Sequence, residues 1–279
     1  MKKIIAAFDG LKYSQSTRDY AIYLAKQTGT HLVGVFMDDP TYTSYKIYEL
    51  IVKQEVSVNQ LNKFEAKDKA TREAAAMDFE KACRKAGVQF SVHHDRKIAI
   101  QELKHESIYS DLLIIDSKET LTHYEEKLPT RFIRDLLSDA QCPVIVLPQK
   151  YTPIQKIVLL YDGGPSSVHA IKMFSYLMPQ LKSLDTEVIS VNREKTTLHL
   201  TDNKLMKEFM KRHYPDAKYT VMKGWAEDEI VKHLKKQKED IMVVLGAYRR
   251  GAVSRWFRES MADILMNEVK YPLFIAHNK

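Results

Sequence analysis

An aspartate closes the first apolar run in each half of the sequence, in Phe8-Asp9-Gly10 and in Tyr161-Asp162-Gly163, and serines follow at Ser14 and Ser167. A second chemistry-bearing stretch is Leu245-Gly246-Ala247-Tyr248-Arg249-Arg250-Gly251-Ala252-Val253-Ser254-Arg255-Trp256-Phe257-Arg258-Glu259-Ser260. Glycines let a backbone approach an anion and turn its N–H groups toward it beside a helix start. Arg249 obstructs that approach unless it swings outward, and it can instead offer a charge-assisted bond. Glu259 opposes an anion by competing for the same N–H groups, against four nearby arginines at 249, 250, 255 and 258. The chemistry on offer is therefore anion binding. Each residue also has a structural alternative. Ser260 with Asp263 forms an S-x-x-D capping pattern, Asp162 precedes the turn formers Gly163-Gly164-Pro165, Trp256 and Phe257 suit packing, and Val191 suits a core.

Catalytic constellations are weak. His93-His94 fall on successive positions of an extended run, so their rings diverge and cannot share a metal. His105, His123, His199, His213, His233 and His277 lack metal-ligand spacing, and there is no nucleophile elbow, P-loop or G-x-G-x-x-G. Cys83 and Cys142 are far apart and form no C-x-x-C pair. No catalytic residue and no metal site are expected.

The elements that must position these residues emerge from an internal repeat. Lys3-Ile4-Ile5-Ala6-Ala7-Phe8-Asp9-Gly10 corresponds to Lys156-Ile157-Val158-Leu159-Leu160-Tyr161-Asp162-Gly163 at an offset of 153, and Ser14 falls on Ser167. Asp111–Ile115 matches Asp240–Val244, and Pro143 matches Pro272, at an offset of 129. The first half thus carries 24 extra residues, placed around 38–76, where Tyr42, Tyr45 and Tyr48 precede a helix predicted over 65–85. The tyrosine spacing suits one helix face, and the segment either covers the first half's pocket, binds a partner or packs. Two units are expected, 1–150 and 151–279, joined at Pro148–Pro153. Apolar runs predict strands near 3–8, 31–36, 88–93, 112–115 and 144–147, and near 156–161, 187–191, 218–222, 241–245 and 273–276. Their alternation with amphipathic stretches predicts βα units around a parallel sheet, whose ligands bind beyond the carboxyl strand ends.

Composition narrows the classes. With 279 residues, 44% hydrophobic and 28% charged, the chain is long enough for two ordinary globular domains. No apolar run approaches the ~20 residues of a membrane span, and the N-terminal run ends at Asp9, short of a secretory signal; a cytoplasmic protein is expected. The first half holds 22 Lys+Arg against 21 Asp+Glu and the second 21 against 15. That basic bias suits an anionic ligand, although dispersed lysines give the same count. The cations of 204–212 and 232–238 fall on amphipathic helices and read as solvated faces, so no nucleic-acid partner is expected.

The two strand-end aspartates, the glycine- and arginine-bearing loop and Asn267-Glu268-Val269-Lys270-Tyr271-Pro272 together resemble the universal stress protein family, as two tandem copies over essentially the whole chain. The resemblance implies flavodoxin-like, doubly wound domains with five-stranded parallel sheets, pairing through their fifth strands, and an adenine-nucleotide pocket in some members. In binding members the loop after strand four reads G-x-x-G, nine residues, then G-S or G-T. Here Gly246 holds the first glycine, Arg249 replaces the second, Gly251 adjoins, Glu259 replaces the last and Ser260 keeps the hydroxyl. The implied nucleotide-binding set is Asp162, Gly163, Val191, Gly246, Arg249, Gly251, Ser260 and Met261, with ATP or AMP and Mg²⁺. In the first half, Asp116–Thr130 has no glycine and four acidic residues, a poor phosphate cradle. The leading expectation is a non-enzymatic stress-response protein with a nucleotide site in its second half, its two halves paired within the chain and open to forming a homodimer. A nucleotide-independent interaction scaffold and a slow ATP hydrolase are the alternatives.

Overall fold

The computed structural model describes residues 1–39, 42–45, 57–95, 97–193, 199–247 and 260–278. The chain divides into two compact units, Lys2–Gln141 and Cys142–Lys279. The first contains β1 (Lys3–Phe8), α1 (Gln15–Thr28), β2 (His31–Met37), α2 (Val58–Ala86), β3 (Phe90–Asp95), α3 (Ala99–Ile108), β4 (Leu112–Asp116) and α4 (Arg131–Asp139). The second contains β5 (Val144–Leu147), β6 (Lys156–Leu160), α5 (Pro165–Leu177), β7 (Asp185–Asn192), α6 (Asn203–His213), β8 (Lys218–Lys223), α7 (Ala226–Leu234), β9 (Ile241–Gly246), α8 (Met261–Glu268) and β10 (Leu273–Ala276). A 3₁₀ turn spans Pro179–Ser183.

In the first unit the strands run parallel in the order β3-β2-β1-β4. In the second, parallel strands run β8-β7-β6-β9-β10, and β5 adds to β10 in the antiparallel sense, with Leu273 opposite Val146. That pairing explains why the units divide before β5, upstream of the 150/151 linker position. β5 and β10 end the two sequence repeats, and they are joined within the second unit. The central strands are continuously apolar because helices cover both faces: Ile4–Phe8, Leu112–Ile115, Ile157–Leu159 and Ile241–Val244 are all buried. This is the doubly wound, mostly parallel α/β architecture expected from the run lengths. In each unit the order reverses between the first strand and its neighbour on the other side, β1/β4 and β6/β9. In open α/β sheets such a reversal is where a ligand-binding crevice forms beyond the carboxyl strand ends.

Local chemistry sets the element ends. Ser14 caps α1 by accepting from Thr17 N–H, and Gly29 closes it at φ +63°. Ser57 and Gln60 form a reciprocal capping box on α2, which Gly87 ends at φ +70°. The extra length of the first half is largely α2, 29 residues where α6 has 11. Residues 42–45 are irregular rather than helical: Tyr42 packs near His123, with ring centroids 5.5 Å apart, and Tyr45 sits 5.2 Å from Phe64. The one-face helix reading therefore fails for these two, and Tyr48 lies outside the described residues. His93 and His94 do diverge, toward Glu106 (2.7 Å) and Asp38 (3.3 Å) respectively.

At the starts of the first strands, away from the crevices, both units carry a Lys–Glu–His cluster. Glu106 meets Lys3 (3.0 Å) and His93 (2.7 Å); Glu187 meets Lys156 (2.7 Å) and His233 (3.1 Å). The glutamate lies on a helix in one unit and on a strand in the other. Burial opposes ionisation of Glu187, but bonds from Lys156 and Thr220 prevail and hold its carboxyl below the usual range.

Candidate functional site

The second unit's crevice is built on the turn after β6. Asp162 Oδ1 accepts from Gly164 N–H (2.8 Å) and lies 2.7 Å from Ser167 Oγ, which is also 2.8 Å from Gly164 O. Gly163 takes φ +81°, a left-handed conformation open to glycine at no steric cost. A Cβ there would also meet Thr201 at 2.7 Å. Asp162 is exposed, and among the described residues its Oδ2 makes no hydrogen bond. The turn thus fixes one carboxylate oxygen and leaves the other at the crevice.

Gly246, the last residue of β9, touches the first turn of α5. An added Cβ would stand 2.3 Å from Ser166 C, 2.4 Å from Ser166 O and 2.7 Å from Ser167 N. Backbone-to-backbone contact therefore demands glycine at this position, whatever binds there. It also brings Gly246 together with Ser166, Ser167 and Asp162, four residues from two separate stretches of sequence. Ser166 Oγ is buried and has no hydrogen-bond partner. No side chain caps α5 at Gly164.

Val191 is half-buried near the end of β7, opposite Met222 of β8. Beyond it, Gly224 N–H donates to Asn192 O (3.2 Å), and the Arg193 guanidinium lies 4.0 Å from the ring centroid of the exposed Trp225. Ser260 caps α8: its Oγ accepts from Asp263 N–H (3.2 Å), and Asp263 Oδ2 accepts from Ser260 N–H (3.3 Å). Met261 is the first residue of that helix. Arg249 and Gly251, and with them Arg250, Arg255, Trp256, Phe257, Arg258 and Glu259, lie outside the described residues. A shallow depression of about 320 Å³ between His199, Asn203, Lys207 and Tyr219 is a separate feature and involves none of the expected residues.

The first unit fills the equivalent crevice with its own side chains. Asp9 is 1% exposed; its Oδ1 accepts from Leu11 N–H (2.8 Å), and its Oδ2 has no partner at hydrogen-bond distance. Ser14, the counterpart of Ser167, donates instead to Asp116 Oδ2 (2.6 Å). In the loop after β4, the N–H groups of Thr120 (3.0 Å) and Leu121 (3.1 Å) are taken by Glu119 Oε1. Those are the donors that an external anion would need. Burial first, then the charge of Asp9, pushes the Glu119 carboxyl up to about 8; burial likewise raises Asp9. Asp9 and Ser14 were legible from the repeat, and covering this pocket was one of the readings open to the Tyr42 segment, but Glu119 was missed as a site-filling residue because no spacing rule links it to Asp9.

Among the described residues no group of three or more His, Cys, Asp and Glu could hold a metal ion, both cysteines are free and buried, and no helix is long and apolar enough to cross a membrane.

Comparison with known proteins places the molecule. A family model described as "Universal stress protein family" matches residues 1–148. A universal stress protein from Archaeoglobus fulgidus shares 13% identity, with a TM-score of 0.72 over 99% of this chain and 98% of that one. A putative universal stress protein from Pseudomonas aeruginosa UCBPP-PA14 shares 15%, with a TM-score of 0.61 over 99% and 93%. A protein of unknown function from Pseudomonas aeruginosa PAO1 shares 14%, with a TM-score of 0.62 over 99% and 92%. At these identities the likeness is one of fold. None of the curated proteins matches the chain.

Proposed function

The chain belongs to the universal stress protein family, and from that premise we propose that it is a non-enzymatic, cytoplasmic stress-response protein whose second unit binds an adenine nucleotide, ATP or AMP, at the β6/β9 crevice. The observation that carries this reading is the Asp162 turn: an exposed carboxylate with one oxygen fixed by Gly164 and Ser167 and the other uncommitted, directly beside an uncapped helix start. Such a carboxylate accepts from ribose hydroxyls, while the first turn of α5, which no side chain caps, suits a phosphate oxygen. Val191 stands at the neighbouring strand end, where a base would pack. Arg249, Gly251, Ser260 and the Met261 amide would complete the phosphate contacts, with Mg²⁺ accompanying ATP. The first unit binds no nucleotide in this mode, because Glu119 already occupies the loop amides that a phosphate would need.

The test is photolabelling of the whole chain with 8-azido-ATP, followed by peptide mapping. Label in peptides around Val191 and Trp225, competed by AMP and lost in Asp162→Ala, agrees with the reading. Label confined to residues 2–141, or unchanged in Asp162→Ala, refutes it.

A further inference from the structure

The depression between α6 and β8 shares no residue with the Asp162 crevice, and its lining is chemically divided. Buried Leu200, Val221 and the Tyr219 ring make it apolar on one side; His199 with Asn203 and Lys207, one turn apart on α6, make it polar on the other. Tyr219 and Val221 stand two positions apart on β8 and so share a sheet face. In the first unit the longer α2 spans the matching place. His94 pairs with Phe36 as Val221 pairs with Ser190, so the two hold the same register position. Asp38 meets His94 (3.3 Å) and is itself met by Arg72 of α2 (3.3 Å). α6 begins only at Asn203 and has 11 residues against 29, and that difference in length leaves the depression.

The polar groups that line it are uncommitted. Among the described residues the side chains of His199, Asn203, Lys207 and Tyr219 make no hydrogen bond, ion pair or ring contact. Lys156, Lys218 and Lys235 of the same unit are each held by a carboxylate. No carboxylate lines the depression, so the Lys207 ammonium stands there uncompensated beside an apolar surface. Burial raises the Tyr219 hydroxyl above its ordinary value, which keeps it a neutral donor. The volume of about 320 Å³ is at the lower end of the range for small-molecule sites and suits one or two rings.

We propose that the α6/β8 groove is a second ligand site, separate from the nucleotide crevice, and that it takes a small aromatic carboxylate. The ligand's ring lies against Tyr219, Val221 and Leu200, and its carboxylate is met by Lys207, with His199, Asn203 and the Tyr219 hydroxyl as neutral donors. A ring is favoured because Tyr219 offers a flat aromatic face. One ammonium matches one negative charge, which favours a carboxylate over the multiply charged phosphates of a nucleotide.

Photolabelling of the full chain with 4-benzoylbenzoate, itself an aromatic carboxylate, followed by peptide mapping, tests this. Label should fall in peptides covering 199–207 and 218–223, be competed by benzoate and not by neutral benzamide, and drop roughly tenfold in Lys207→Glu, the loss of one charge-assisted bond. Lys207 is exposed on α6, so the charge reversal leaves the fold intact. Label elsewhere in the chain, benzamide competing as well as benzoate, or undiminished label in Lys207→Glu overturns the proposal. Displacement by AMP as effective as that by benzoate also overturns it, by placing the probe in the nucleotide crevice.

Discussion

Replacing Gly246 by alanine tests whether the candidate site is assembled by backbone contact. The added methyl would lie 2.3 Å from Ser166 C and 2.4 Å from Ser166 O, against an ordinary contact beginning near 3.4 Å. About 1 Å of relief is needed, and the obstructing atoms belong to the first turn of α5, which cannot rotate aside as a side chain can. Overpacking of this kind costs about 2–3 kcal/mol. Urea unfolding gives the number directly, because both tryptophans, Trp225 and Trp256, lie in the second unit and their fluorescence follows that unit alone. The midpoint should fall with the slope unchanged. A loss below about 0.5 kcal/mol, the range of neutral surface changes, would refute the packing argument and return Gly246 to a purely ligand-driven role.

Other outcomes follow from named contacts. Glu187→Gln strips charge from a buried cluster with Lys156, Thr220 and His233 and should cost about 2–4 kcal/mol at neutral pH. Because the folded carboxyl lies below its unfolded value, that contribution exists above the ordinary carboxylate range and vanishes as pH falls through the folded one, so wild type and variant should converge in acid unfolding curves. Glu119 runs the other way. Its folded carboxyl is raised, so the first unit should lose stability as pH rises from the unfolded carboxylate range through about 8, by urea unfolding followed with circular dichroism, and Glu119→Gln should flatten that slope. Ser260→Ala removes the α8 cap and should cost about 1 kcal/mol in the tryptophan-detected transition; a fall in nucleotide affinity by titration would add ligand contact to capping.

Much of the architecture could be read from the chain because its strands are buried on both faces. Runs such as Ile241–Val244 admit only apolar residues, and the repeat of Lys3–Gly10 in Lys156–Gly163 located the strand ends that build the crevices. What escaped was long-range and side-chain specific. No periodicity shows that Glu119 turns back to bind the amides of its own loop, or that Ser14 selects Asp116 while its counterpart Ser167 selects Asp162. The Tyr42–Tyr45 spacing suggested a helix face, yet Arg72 and Asp68, 24 to 30 positions away, pin that backbone in an irregular path. Gly246 was legible as a glycine that matters, but sequence offered the phosphate as its reason, whereas the first turn of α5 already requires it.

The central claim is that one unit binds and the other is filled. Isothermal titration of ATP and AMP into the whole chain with Mg²⁺ tests it most directly, comparing wild type, Asp162→Ala and Asp9→Asn. The account predicts about one site per chain, lost in Asp162→Ala and kept in Asp9→Asn. No binding, two sites per chain, or loss in Asp9→Asn with retention in Asp162→Ala would contradict it.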